Sequence, residues 1–265
     1  MPSTMDAFGD YVIDGVVGHG GSATVYRAHH ATGLGPPVAL KVLDQHHRDA
    51  AHLGRLEREF EFAKRTAHPH VVTVFEYGHG WLSMQLVTGG TAISLPSRAL
   101  RLAALAQIAD ALDHVHALGI VHCDVKPTNI LVAEPFSAGG ALLVDFGIAR
   151  SLAEDGTHRM THVEASLPYA APEVLHGHPP EASSDEYALA CTAVELLTGS
   201  PPFHANTSMA LVDAHLNSPV PKYSRRIDWL PRAFDSILAK ALAKSPDLRY
   251  QSCLEFISLI THAIG

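Results

Sequence analysis

Four polar side chains able to handle phosphate stand close together in the middle of the chain. His122-Cys123-Asp124-Val125-Lys126-Pro127-Thr128-Asn129 is followed, one apolar strand later, by Asp145-Phe146-Gly147. In-line phosphoryl transfer needs a carboxylate to orient the attacking hydroxyl or take its proton. It also needs a cation on the transferring group and oxygen ligands for Mg²⁺. Asp124, Lys126, Asn129 and Asp145 supply that set within a loop–strand–loop short enough to converge. Two polar loops with no shared task are the bland alternative, and the ordered presence of every piece argues against it.

Two weaker signals lie upstream. Gly18-His19-Gly20-Gly21-Ser22-Ala23-Thr24-Val25 reads as a glycine-rich turn between strands, where missing side chains let a backbone approach phosphate oxygens. A strand–turn–strand frame differs from the strand-to-helix frame of dinucleotide folds. Taken alone, an ordinary turn explains it as well. Val38-Ala39-Leu40-Lys41 is an apolar strand ending in one cation. A buried Lys beside polyphosphate needs a carboxylate to hold it. Glu59 on the next helix is the candidate, with Glu57 and Glu61 as alternatives that point to other faces.

These residues must be held by a strand-rich first third and a helical remainder. Tyr11–Val17, Ala23–Ala28 and Pro37–Leu43 are β-prone, and Val71–Tyr77 and Trp81–Val87 read as a hairpin around Gly78–Gly80. Leu56, Phe60 and Ala63 give 55–66 one helical face, ended by His68-Pro69. Ser97 is the expected N-cap of a helix running to Gly119, with Leu105, Ile108, Leu112 and Val115 as its buried stripe. Short strands are expected at 120–122, 130–132 and 141–144, and an irregular segment from Gly147 to Pro172. Further helices are expected at 184–198, 207–216, 232–243 and 253–264. The fold class is α+β and bilobal: an antiparallel-sheet small lobe with one main helix (1–84), a connector (85–90), and a mostly helical large lobe (91–265). A cleft between lobes is a usual small-molecule site.

The bulk numbers exclude several classes. A net charge of −8 without a basic block argues against nucleic-acid and polybasic membrane partners. Three widely spaced cysteines (Cys123, Cys191, Cys253) fit neither a disulfide framework nor a paired-cysteine metal site, and indicate a reducing, cytoplasmic setting. No signal peptide or membrane-spanning run is visible. The nineteen histidines lack a recurrent ligand spacing and read as surface and core residues.

From about Tyr11 to Ile264 the chain resembles the eukaryotic-type (Hanks-type) Ser/Thr protein kinases, most closely those of actinobacteria. The stretch from Asp145 to Ala171-Pro172-Glu173 is similar to the family's activation segment. Asp185 matches the anchoring Asp of a central helix, and Arg249 the partner of Glu173. The resemblance implies ATP with Mg²⁺, or Mn²⁺ in its place, and protein substrates bearing Ser or Thr. It implies that Gly18, Gly20 and Gly21 cover the phosphates and that Lys41, paired with Glu59, grips them. Asn129 and Asp145 would hold the metal, while Asp124 receives the substrate hydroxyl. Met84 would be the gatekeeper, the Gln85–Val87 backbone would meet adenine, and Val25, Ala39 and Leu131 would sandwich its ring. Lys126 in Asp-x-Lys-x-x-Asn marks the Ser/Thr form of the loop. Similar bacterial kinases form homodimers through the small lobe, although nothing in this sequence singles out such a surface.

The departures are informative. The Arg usual before the catalytic Asp is Cys123, which offers no charge to a phosphate on the activation segment. Switching on is therefore expected not to require that modification, whether or not Thr157 or Thr161 is phosphorylated. Ala165-Ser166 stands where the family has Gly-Thr and keeps the hydroxyl that bridges Asp124 and Lys126. Ala23 replaces the third glycine, and 90–97 leaves little room for the short helix at the cleft front. Two rivals remain: a nucleotide-binding scaffold that kept the fold, which usually loses one of the key Lys, Asp or Asn positions, and a small-molecule kinase, which lacks the Lys126 spacing and an Ala-Pro-Glu segment. The chain reads as either a stand-alone kinase or a catalytic fragment.

Overall fold

A computed structural model describes residues 8–152 and 166–265. Thr157 and Thr161 lie outside the described residues. Strands β1 (Tyr11–His19), β2 (Ala23–His30), β3 (Val38–Leu43), β4 (Val74–Gly78) and β5 (Trp81–Gln85) form one antiparallel sheet in the order β1-β2-β3-β5-β4. Alternation along β3 buries Ala39 beside Leu56, Leu82 and Met84, so Lys41 keeps the same strand face as Ala39.

Helix α1 (Ala50–Arg65) crosses this sheet and starts five residues earlier than its apolar spacing indicates. The cause is a cap: the Asp49 carboxylate accepts from the Ala51 and His52 amides, both at 3.0 Å. The first turns carry no apolar stripe, so periodicity alone starts late. Glu59 faces inward and is buried, whereas Glu57 and Glu61 are exposed.

The rest of the chain is built on α2 (Arg98–Ala117), α5 (Ala182–Thr198), α6 (Ser208–Asn217), α7 (Arg232–Ala241) and α8 (Cys253–Ile264). Ser97 caps α2 by accepting from the Leu100 amide, and Leu105, Ile108, Leu112 and Val115 are fully buried. Each such side chain stabilises by about 1.5–3 kcal/mol on burial. Asp113 of α2 accepts from the Ser252 hydroxyl and the Cys253 and Leu254 amides, fastening the start of α8. Two short helices, α3 (Phe136–Gly139) and α4 (Pro172–Leu175), were not foreseen.

Small strand pairs carry the chemistry. β6 (Ile120–Val121) pairs with β9 (Arg150–Ser151), and β7 (Ile130–Val132) with β8 (Ala141–Leu143). The β7–β8 register continues to Asn129 O, which accepts from the Val144 amide at 3.0 Å. This sets Asn129 beside Asp145. The connector after β5 docks on the same hairpin: Gly89 N donates to Val132 O and Val132 N to Gly90 O, both at 2.9 Å. A Cβ on Gly89 would fall 2.4 Å from Val132 O, so the approach requires glycine. Among the described residues no helix is long and apolar enough to cross a membrane.

Candidate active site

The ammonium of Lys41 sits 2.6 and 2.8 Å from the two Glu59 oxygens and 3.3 Å from Asp145 Oδ1. Strand β3, helix α1 and the turn after β8 thus meet at one cation. Burial opposes the Lys41 charge, but the two carboxylates outweigh it and hold the ammonium above its usual range. Burial pushes Glu59 up to about 7 against the pull of Lys41, with Asp145 adding like-charge repulsion. Asp145 is held below the usual carboxylate range, chiefly by Lys41. Its backbone is left-handed (φ 69°), a conformation uncommon outside glycine and enriched at functional sites.

The second group centres on Asp124. Its Oδ2 accepts from Lys126 Nζ at 2.6 Å and from Asn129 Nδ2 at 2.9 Å. Its Oδ1 accepts from the Ser166 hydroxyl at 2.8 Å, and Lys126 donates to the same hydroxyl at 2.8 Å. Asn129 Nδ2 also reaches the Asp124 carbonyl, so both donor bonds of the amide point at Asp124. That orientation leaves Asn129 Oδ1 free of described partners, beside an Asp145 side chain that is 43% exposed. Two uncommitted hard oxygens at adjacent register positions fit a Mg²⁺ ion.

The loop is fixed from below by Asp185 on α5. Its buried carboxylate accepts from the His122 and Cys123 amides (2.7 and 2.8 Å) and from His116 Nε2 (2.8 Å). Burial would raise its pKa, yet the His116 bond and the others prevail and it stays lowered. His122 packs edge-on against Phe146, with Nε2 3.1 Å from Val144 O. His116 and His122 had no sequence signal beyond their place beside the loop; their partners lie 69 and 22 residues away. Cys123 has φ 69° and lines a cavity of about 40 Å³ together with Arg150, Ser166 and Asp185. The buried Arg249 guanidinium meets Glu173 at 2.8 and 2.7 Å.

On the opposite wall, Val25 packs against the cluster of Ala39 and Met84, and an isolated bridge brings Leu131 to Thr91, just after the connector. The Gln85 amide already donates to Thr73 O at 2.8 Å, whereas no described bond uses the Val87 amide. Neither Gly18 nor Gly21 has a positive φ, and a Cβ on either would meet nothing within 4 Å. The turn itself does not demand glycine at those positions. Val17, which the sequence marked only as the end of a β-prone run, is an exposed apolar residue next to Gly18 and joins no core cluster. The front of the cleft, between Gly90 and Ser97, holds only the single 3₁₀ turn Ala92–Ser94.

A two-part fold whose cleft gathers these groups defines the class, and comparison with known proteins agrees. The protein kinase domain family matches residues 11–260, and the chain belongs to that family. It is 38% identical over 269 residues to the serine/threonine-protein kinase PknJ of Mycobacterium tuberculosis, covering 96% of this chain and 45% of that protein. It is 37% identical to PknH of the same species, over 92% of this chain and 40% of PknH. Identity to its PknF is also 37%, over 97% of this chain and 57% of PknF. The chain thus spans about half the length of these curated relatives, or less. Members of the family generally use ATP and Mg²⁺.

Proposed function

We propose that the chain transfers the γ-phosphoryl group of ATP to Ser or Thr hydroxyls of protein substrates, in a cleft between a small lobe (1–84) and a large lobe (91–265) joined at 85–90. The observation that carries this reading is the convergence of Asp124, Lys126, Asn129 and Ser166 within hydrogen-bond distance, beside the Lys41–Glu59–Asp145 cluster.

In this reading Gly18, Gly20 and Gly21 lie over the phosphates, which explains glycines at 18 and 21 that the turn does not need, whereas at Gly20 a Cβ would also come 3.3 Å from Ala23 O. Lys41, oriented by Glu59, holds the α- and β-phosphates. Val25, Ala39 and Leu131 enclose the adenine, Met84 closes the back of its pocket, and the Gln85–Val87 backbone, chiefly the Val87 amide, binds its edge. Asn129 Oδ1 and Asp145 hold Mg²⁺, which when bound neutralises charge on the phosphate oxygens. Asp124 orients the substrate hydroxyl and takes its proton as the new O–P bond forms and the bond to the β-phosphate oxygen breaks. Lys126 neutralises charge on the group in transit. Ser166 keeps Asp124 and Lys126 in register. Preorganised charges of this kind act without reorganisation at the moment of reaction.

The hydroxyl specificity rests on Lys126 and on the similarity to serine/threonine-protein kinases. Activation without a segment phosphate rests on Cys123, and Arg150 is the cation lining the same cavity. Changing Thr157 and Thr161 together to Ala should leave activity within tenfold of wild type; a larger loss defeats that part of the reading. The main test is transfer of label from [γ-³²P]ATP to a generic protein substrate, followed by mapping of modified residues. Label on Ser or Thr is expected, with transfer abolished in Asp124→Asn and Lys41→Met. Either variant retaining the wild-type rate would refute the assignment.

A further inference from the structure

Three imidazoles and one carboxylate meet where the loop leaving α1 crosses α2. His68 stacks on His114 with ring centroids 5.0 Å apart and an interplanar angle of 28°. His70 lies 5.8 Å from His68, whose Nε2 is 3.3 Å from Asp110 Oδ2. All three histidines are half-buried, and Asp110 is exposed.

The hydrogen bonds fix the protonation state that this arrangement accepts. His68 Nδ1 accepts from the His70 amide at 3.2 Å, so the neutral ring carries its proton on Nε2, toward Asp110. Protonating Nδ1 would set an N–H against an N–H and break that bond. His70 is held differently: Nδ1 donates to Ala141 O at 3.0 Å, which ties the ring to β8. A charged His68 also faces His114 across the stack and His70 along the loop, with one partly solvated carboxylate to offset three cations. Among the described contacts, Asp110 is the one carboxylate that reaches these rings, and α3 beside His70 carries no titratable residue. β8 has no titratable residue, and Lys64 and Arg65 in the last turn of α1 lie over the Phe60 and Phe62 rings.

The loop is also a structural bridge. It follows the helix that carries Glu59, and it bonds to β8 through Leu143 N to His70 O (2.8 Å) and Val72 N to Leu143 O (3.0 Å). β8 leads two residues later to Asp145. Both carboxylate partners of Lys41 are therefore anchored through this junction.

We propose that His68, held by His70, His114 and Asp110, is an acid-released latch, which clamps the loop after α1 onto α2 and β8 near neutral pH and lets it open as His68 takes up a proton. This is a regulatory contact in the scaffold and does not depend on the phosphoryl-transfer reading. Burial holds the His68 pKa down, His114 and His70 add to this, and Asp110 opposes them. A histidine lowered in the folded state stabilises fully above its unfolded value, about 6.5, and loses that contribution as pH falls below it.

The test is hydrogen exchange, read by mass spectrometry on peptides covering 66–73, at pH 7.5 and 5.5 and corrected for intrinsic rates. It is done on the nucleotide-free protein, so its outcome is independent of any kinase assay. For wild type, local opening should rise by up to about tenfold per pH unit below 6.5, because the closed form keeps His68 neutral. His68→Asn keeps an acceptor for the His70 amide but cannot be protonated, and it should flatten this rise. His114→Gln should reduce it, and serves alone if His68→Asn does not fold. The 50–65 peptide of α1 controls for titration of Glu59. No acid-dependent opening of 66–73 in wild type, or an undiminished rise in both variants, would overturn the latch.

Discussion

Ser166→Ala removes one oxygen from the centre of the proposed machinery. In wild type that hydroxyl donates to Asp124 Oδ1 and accepts from Lys126, each at 2.8 Å. After the change Asp124 Oδ1 has no described donor, while Lys126 keeps only its 2.6 Å contact to Asp124 Oδ2. A hydrogen bond to a charged group contributes about 1.5–3 kcal/mol. If one such bond is lost in the transition state, kcat falls about 10- to 150-fold at 1.36 kcal/mol per factor of ten. Nucleotide affinity should hardly change, because the Lys41–Glu59–Asp145 cluster does not include Ser166. Ser166→Thr keeps the hydroxyl and should retain most of the rate. Steady-state transfer to a generic protein substrate, paired with nucleotide binding by calorimetry, separates the two effects. An Ala variant within threefold of wild-type kcat, or one that loses nucleotide binding instead, would refute the bridging role.

Other perturbations follow from the same geometry. Glu173→Ala strands the Arg249 guanidinium, whose side chain is 0% exposed, and should cost about 3–5 kcal/mol, lowering Tm by about 6–20 °C. Adding Arg249→Met should recover part of that loss; no recovery argues that the pair is not the cause. Burial tends to raise both Glu173 and Asp185, yet the Arg249 bond and the His116 bond respectively leave them lowered. Their contribution should be full above the ordinary carboxylate range and be lost as pH falls through their folded values. Asp185→Asn should flatten the acid limb of a Tm-against-pH curve, and an unchanged limb counts against this. Gly89→Ala should destabilise the connector, since its Cβ meets Val132 O at 2.4 Å, and should weaken nucleotide binding more than it lowers kcat.

Much of the site could be read from local order because its parts come in two short stretches. Asp124, Lys126 and Asn129 share one loop, and one β-hairpin carries the chain from Asn129 to Asp145. Helical periodicity put Glu57 and Glu61 on other faces than Glu59 without excluding them, and burial decides: only Glu59 is buried. The role of Ser166 came from resemblance, since 40 residues separate it from Lys126. Long-range anchors were harder to see. His116, His122 and Asp185 meet through tertiary packing, which no spacing rule encodes. The early start of α1 was hidden because Asp49 caps a turn with no apolar stripe. α3 and α4 are four residues each, too short to show a period.

The central claim is that Asn129 and Asp145 hold the metal of a nucleotide whose terminal phosphate faces Asp124 and Lys126. A crystal structure with a non-hydrolysable ATP analogue and Mn²⁺, read by anomalous scattering, tests it directly. The expected result is a manganese peak coordinated by Asn129 Oδ1 and Asp145, with the γ-phosphate beside Lys126. Manganese bound elsewhere, or a triphosphate that does not reach Lys126, would contradict the claim.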